Sequence, residues 1–209
     1  MKIYLIRHGK TKGNMEKRYV GCTDEGLCPD GVAEVESLRE RYEYGIGKPS
    51  QIVISPMRRC VETGELLFPS ARQLSVDEFK ECDFGEFEYK NYEELTRNPY
   101  YEKWLESGGN IAFPGGESKQ EFQDRVVERF RELLVGGRLK LEALEDKKGG
   151  ANETGIVLVV HGGTIMSILD RFSEPHKDYY DWQVENGHGY VGDLLLDDKK
   201  VVIKNIENL

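Results

Sequence analysis

The chain reads as an α/β protein in three layers, α/β/α. A mostly parallel central sheet carries an antiparallel edge, with a small helical lid over the carboxyl ends of its strands. Three observations predict this. Two apolar runs rich in β-branched residues, Ile3-Tyr4-Leu5-Ile6 and Ile156-Val157-Leu158-Val159-Val160, have the look of buried strands. Strand and helix signals alternate between them, as βαβ units require. The chain then closes on two strands, near residues 190–196 and 201–205, separated by Asp197-Asp198-Lys199-Lys200, a hairpin turn that makes the edge antiparallel.

In order, the first strand gives way to a polar, glycine-dotted loop over residues 9–29. A helix follows from about Asp30, its expected N-cap, to Tyr44. Gln51–Ile54 is a short strand, and Pro56–Leu67 a helix opening directly behind it. Residues 91–106 have helical character interrupted by Pro99, in a polar, aromatic-rich stretch. Pro114-Gly115-Gly116-Glu117-Ser118 breaks the chain before a strongly periodic helix over 119–134. Residues 136–154 are charged and glycine-rich, and read as a solvated insertion with a short helix around 140–144. Strand 156–160 and helix 164–172 complete the alternation. Length fits one domain, 1–209, with 83–116 as its lid.

Bulk properties narrow the function. The 209 residues are 38% hydrophobic and 32% charged, with a formal net charge of −9. That balance speaks against non-specific binding of nucleic acid or anionic membrane, while leaving room for an anionic substrate held by a few buried arginines. No leader and no membrane-length apolar run is visible. Cys22, Cys28, Cys60 and Cys82 lack C-x-x-C spacing and read as reduced thiols of a cytoplasmic protein. No metal-ligand spacing appears, so neither a metal nor an organic cofactor is expected. A homodimer is compatible with the chain.

The chemistry concentrates at strand ends. Arg7-His8-Gly9 terminates the first strand and His161-Gly162-Gly163 the run 156–160, so two histidines arrive at the edge where open α/β sheets bind ligands. A neutral imidazole with one nitrogen held as N–H presents the other as a nucleophile. Attack on phosphorus also needs cations around the equatorial oxygens, and arginine's planar fork suits that task. Arg7 supplies one; Ser55-Pro56-Met57-Arg58-Arg59 supplies another, with spacing alone hardly separating Arg58 from Arg59. His161 offers a further donor. Glu81, among apolar and aromatic residues, is a candidate acid for the leaving oxygen.

Together these motifs resemble the histidine phosphatase (phosphoglycerate mutase-like) superfamily over nearly the whole chain. Arg7-His8-Gly9-Lys10-Thr11-Lys12-Gly13-Asn14 resembles R-H-G-x-[TS]-x-x-N, and Gly21 and Asp24 fall at the family's spacing. Ser55–Thr63 resembles S-P-L-x-R-A-x-x-T, a register that selects Arg59. Glu81–Gly85 is similar to E-x-x-[FY]-G, Pro114–Ser118 to P-G-G-E-S, and His161-Gly162 completes the series.

The resemblance implies a phosphoryl acceptor at His8 and a proton donor at Glu81. It implies a phosphate pocket of Arg7, Arg59 and His161, with Asn14, Gly21 and Gly162 contributing to phosphate or substrate binding. Val20 and Cys22 stand where cofactor-dependent mutases carry a hydroxyl residue and a tryptophan, and Cys82-Asp83-Phe84 where they carry Arg-His-Tyr. The expectation is therefore hydrolysis of a small phosphomonoester, with a phosphoglycerate mutase as the alternative and a non-catalytic phosphate-binding protein as a remote one. The run Asp83–Glu88 most resembles a small bacterial branch that includes α-ribazole phosphatases, which makes α-ribazole 5′-phosphate, a nucleotide or a sugar phosphate the candidate substrates. His188 is expected in a loop near the pocket rim, His176 at the surface, and Tyr179–Trp182 in packing or a dimer contact.

Overall fold

The computed structural model describes residues 1–136, 142–143, 154–197 and 200–209. Its strands are β1 (Lys2–Arg7), β2 (Gln51–Ile54), β3 (Arg72–Ser75), β4 (Glu142–Ala143), β5 (Thr154–Val160), β6 (Gly189–Asp197) and β7 (Lys200–Asn208). They form one sheet in the order β3-β2-β5-β1-β6-β7, with β4 paired to β5. The path from β3 to β1 is parallel, and β6 and β7 add the antiparallel edge.

The apolar runs are continuous because both faces of the sheet are covered. Ile3 and Leu5 of β1, with Ile156, Leu158 and Val160 of β5, join one core with α6 (Lys119–Val135) and α7 (Gly162–Phe172). The alternate residues Tyr4, Ile6, Val157 and Val159 join a second core with α2 (Pro29–Gly45) and α3 (Arg58–Leu67). Period-two alternation thus sends successive side chains into opposite layers. Each fully buried Leu, Ile or Val contributes about 1.5–3 kcal/mol relative to exposure, so the central strands cannot shift register without forfeiting both cores.

Several boundaries differ from expectation. Cys28, not Asp30, caps α2: its Sγ accepts from Gly31 N at 3.4 Å, and Pro29 takes the first helical position, where its missing N–H costs nothing. Pro99 likewise opens a helix rather than interrupting one. It separates α4 (Tyr92–Leu95) from α5 (Pro99–Glu106), capped by Asn91 and Asn98. Loop 9–29 contains a short helix, α1 (Lys12–Met15). The edge strand β3 escapes sequence reading because Arg72-Gln73-Leu74-Ser75 carries almost no apolar pattern. The short helix expected at 140–144 falls mostly outside the described residues, and its described pair, Glu142 and Ala143, runs antiparallel to β5 instead. Asp197 pairs with Lys200 across the expected hairpin turn, whose two inner residues lie outside the described set.

The stretch 83–116 holds a 3-10 turn (Gly85–Phe87), α4 and α5, and anchors itself through buried Phe87, Leu95, Tyr101 and Phe113. All four cysteines are free thiols. Among the described residues, no helix is long and apolar enough to cross a membrane.

Candidate active site

Register brings the site together. Arg7 pairs with Val160 across β1 and β5, so the next residues, His8 and His161, emerge side by side at the carboxyl edge. Their rings meet edge to face with centroids 5.2 Å apart. Ile54 pairs with Val159 on the other side of β5, which delivers Ser55 and the first turn of α3, with Arg59, to the same edge.

His8 is 4% exposed. Its Nδ1 lies 2.7 Å from the Gly9 carbonyl, which can only accept, so Nδ1 carries the proton and Nε2 the lone pair of the neutral ring. Burial first, then the charges of Arg59 and Arg7, hold His8 well below the ordinary histidine value. The loop that carries it is pinned from three directions. Gly9 N donates to Thr63 Oγ1 at 2.9 Å. Asn186 Nδ2 donates to the carbonyl of His8 at 3.1 Å and to Asn14 Oδ1 at 3.2 Å. Thr11 and Asn14 close a capping box around α1, with Thr11 N donating to Asn14 Oδ1 at 3.1 Å and Asn14 N to Thr11 Oγ1 at 3.2 Å. Asn14 therefore shapes the loop through its side-chain oxygen.

Arg59 is completely buried, whereas Arg58 is a surface residue paired to Glu62. Arg59 NH1 donates to Thr23 O at 2.8 Å, NH2 to Gly21 O at 2.8 Å, and Nε to His161 Nδ1 at 3.3 Å. Because Arg59 Nε can only donate, His161 Nδ1 accepts, and Nε2–H donates to Ser55 Oγ at 2.7 Å. Both nitrogens of His161 are thus engaged within the protein. Burial and the charge of Arg59 also hold His161 well below its ordinary value.

Gly21 belongs to this scaffold through its backbone. Its N–H donates to Glu88 Oε1 at 2.9 Å, and a Cβ there would stand 1.9 Å from the Cys82 carbonyl. Glu88 also accepts from the backbone N–H groups of Cys22 and Thr23 and from the Thr23 hydroxyl, so one carboxylate folds the segment that holds Arg59.

Glu81 follows a 3-10 turn (Asp77–Phe79) and faces the other side of the site. Its oxygens accept from Cys82 N at 3.0 Å and from Gly163 N, in the first turn of α7, at 3.1 Å. Arg125 of α6 fixes this segment by donating to the carbonyls of Glu78, Lys80 and Glu81. The same guanidinium grips Glu117 with two bonds, Nε to Oε1 at 2.6 Å and NH2 to Oε2 at 2.8 Å. Burial acts to raise Glu117, but the bonds from Arg125 and from Asp83 N leave it below the ordinary carboxylate range. Gly85, at φ +50°, lets the 83–85 and 114–116 backbones cross in contact.

A cavity of about 700 Å³ opens at this edge. Of the residues selected from the sequence, Arg7, Glu81 and Gly162 line it, while His8, Arg59 and His161 are buried beside them. Asn14 and Gly21 are not in its wall; they support the loops that are. Arg7 NH1 donates to Val184 O at 2.7 Å, and its Nε is buried without a partner. Burial pulls Arg7 down from its ordinary value, Glu81 raises it, and Arg59 lowers it again.

A second, apolar cavity of about 230 Å³ adjoins the first, and Glu81, Gly163 and Met166 line both. Phe84, Trp104, Phe113, Phe122, Tyr179 and Tyr180 are among its lining residues. Tyr179 and Tyr180, expected in packing or a dimer contact, line this cavity, whereas Trp182 is buried against Tyr190. His188 stands outside both linings; its carbonyl accepts from Arg7 N.

Cys22, Asp83 and Glu88 bring ligand atoms within 4.8 Å of one another, the one such cation-compatible group among the described residues. Both Glu88 oxygens are already committed to the backbone there. The residues that sequence reasoning passed over, Thr63, Glu88, Glu117, Arg125 and Asn186, all act on backbone or on another side chain. Thr63, Glu88 and Glu117 fall within the quoted motif blocks, which hinted at them; Arg125 and Asn186 carried no such signal.

Comparisons with known proteins identify the family. The family model for the histidine phosphatase superfamily (branch 1) matches residues 3–208. The chain is 30% identical over 175 residues to the uncharacterized phosphatase PhoE of Bacillus subtilis, covering 82% of this chain and 77% of that one. It is 31% identical over 151 residues to a protein named probable phosphoglycerate mutase GpmB in Escherichia coli, covering 66% of each. The fold matches the α-ribazole phosphatase of Shigella flexneri with a TM-score of 0.75 at 21% identity, over 97% of this chain and 94% of that one. The paired strand-end histidines, the buried arginine behind them and the match across almost every residue have one reading: the chain belongs to the histidine phosphatase superfamily, branch 1.

Proposed function

We propose that the protein hydrolyses a small phosphomonoester through a phosphohistidine on His8, without a metal or organic cofactor. The observation that carries this is the His8 tautomer: Nδ1–H is tied to the Gly9 carbonyl, leaving Nε2 as a lone pair beside two guanidinium groups. In the first step His8 Nε2 bonds to phosphorus, the P–O bond to the alcohol breaks, and Glu81 gives a proton to the departing oxygen. In the second, water attacks the phosphoryl group, Glu81 takes its proton, and the P–N bond returns its electron pair to Nε2. Arg7 and Arg59 stabilise the equatorial oxygens, the buried and partnerless Arg7 Nε being a donor that a phosphate oxygen would satisfy. His161 serves by orienting Arg59, and joins the phosphate if Ser55 releases its Nε2–H. Asn14, Gly21 and Gly162 complete the loops around the phosphate, and 83–116 acts as the lid.

A second reading, phosphoglycerate mutase, is favoured by the name of the Escherichia coli relative. The deciding experiment is phosphate release from a panel of phosphomonoesters (α-ribazole phosphate, nucleotides, sugar phosphates and 3-phosphoglycerate) with chelator present and the His8→Ala protein alongside. Release that survives chelation and is lost in His8→Ala is the expected result. Loss on chelation, or substantial turnover in His8→Ala, overturns the mechanism; interconversion of 3- and 2-phosphoglycerate with a bisphosphate primer, without release, establishes the mutase.

A further inference from the structure

Lys10 lines the larger cavity without a role in phosphoryl transfer. Of the lining residues, Arg7 and Lys10 carry positive charge, and the phosphate lies against Arg7. An alcohol bearing a second anionic group, a carboxylate or another phosphate, would therefore turn to Lys10. The Lys10 backbone is not free to move toward it. Its carbonyl accepts from Cys28 N at 3.0 Å, and a Cβ on Gly31 would stand 2.1 Å from the same oxygen, so the start of α2 is packed against it. Any response to a second anion must come from the Lys10 side chain.

That side chain is already engaged. Glu34, in the second turn of α2, places both carboxylate oxygens 3.0 Å from Lys10 Nζ, and both side chains are half-buried. Glu34 Oε2 is buried and makes no hydrogen bond of its own, so the ammonium charge beside it is its compensation. Glu185 adds another carboxylate to the lining of the cavity. A ligand anion drawn to Lys10 would have to loosen Glu34 and then lie beside its negative charge. Like charges brought together in this way cost affinity, whereas an uncharged alcohol makes no such demand.

We infer, on the basis of the phosphomonoester reading above, that Glu34 determines specificity: by neutralising Lys10 it directs the site to phosphomonoesters of an uncharged alcohol and rejects those carrying a second anion. Glu34 acts through Lys10 and touches neither the phosphate nor the reacting atoms. Its removal frees a cation on the cavity wall, and the substrate that gains is the one with a charge to offer it.

The test uses two compounds that differ at one carbon: 3-phosphoglycerate, which ends in a carboxylate, and glycerol 3-phosphate, which ends in a hydroxymethyl group. Dissociation constants are measured by calorimetry on His8→Ala, with and without Glu34→Gln, and kcat/KM on the wild type and on Glu34→Gln. Each protein is judged by its own ratio between the two compounds, so a partial loss of folded protein cancels. Glycerol 3-phosphate should bind more tightly to His8→Ala and be the better substrate of the wild type. Glu34→Gln should shift both ratios toward 3-phosphoglycerate by about fivefold, the factor one half-buried charge pair is worth, and adding Lys10→Met should remove the gain. Equal or tighter binding of 3-phosphoglycerate to His8→Ala overturns the proposal, as does a ratio that Glu34→Gln leaves unchanged. A gain that survives Lys10→Met overturns the role of Lys10. Charge discrimination in binding, restored and lost as expected but with no phosphate release by the wild type, leaves Glu34 standing and refutes the hydrolase reading instead.

Discussion

His8 and His161 make the stability of the protein depend on pH in a window where few other groups titrate. Both rings are fully enclosed and held well below the ordinary histidine value by burial and by the guanidinium groups of Arg59 and Arg7. In the unfolded chain each returns to about 6.5. As pH falls through that value the unfolded state takes up two protons that the folded state refuses. Stability is thus fully present above about pH 6.5 and is lost as pH falls below it. The limiting slope is about 1.36 kcal/mol per pH unit for each proton, so two histidines cost about 2.7 kcal/mol between pH 7.5 and 5.5. Shifted carboxylates such as Glu117 lie below the ordinary 4.5 and take up their protons under this window. Urea unfolding of the unliganded protein at half-unit intervals measures the dependence, and His8→Gln should reduce it by about half. An identical dependence in His8→Gln, or stability that rises as pH falls to 5.5, would refute the assignment of buried neutral rings.

The remaining predictions concern the acid and the scaffold. Glu81→Gln should slow alkyl phosphate hydrolysis by about 10²–10⁴-fold and aryl phosphates far less, because a poor leaving group needs the proton most; equal slowing of both in steady-state assays would count against a proton donor at Glu81. Asn186→Ala leaves the His8 carbonyl and Asn14 Oδ1 short of a buried donor, a loss of about 1–3 kcal/mol in chemical denaturation, with kcat falling more than KM rises. Unchanged kcat would reduce Asn186 to a structural residue. Gly21→Ala places a methyl 1.9 Å from the Cys82 carbonyl, so the loop must move and carry away the Gly21 carbonyl that holds Arg59. About 1–3 kcal/mol of stability should go with it, along with weaker inhibition by inorganic phosphate, and a wild-type inhibition constant would separate Gly21 from phosphate binding.

The three-layer architecture was legible because β1 and β5 are apolar on both faces, a pattern that only a doubly covered sheet satisfies, and because each ends abruptly at a histidine and a glycine. The same ends announced His8, Arg7 and His161, while the family register separated Arg59 from Arg58 before burial distinguished them. Other features left no such trace. The strand β3 lies at an edge, where one unpaired side relaxes the need for apolar residues, and Pro99 reads equally as a helix breaker or a helix start until the Asn98 cap is seen.

The distinction follows from what each residue bonds to. A strand's burial and a histidine's place at its end are properties of neighbours in the chain, so sequence alone determined the central strands, the layers that cover them and the residues that reach their carboxyl edge. The work of Asn186 on His8, of Glu88 on loop 21–23 and of Arg125 on the Glu81 segment joins groups 44 to 178 residues apart. Only the tertiary structure decided those pairings, as it decided which aromatics of residues 83–116 pack inward and which face a cavity, because hydrogen bonds and walls between distant segments exist only once the sheet has brought their strands into register.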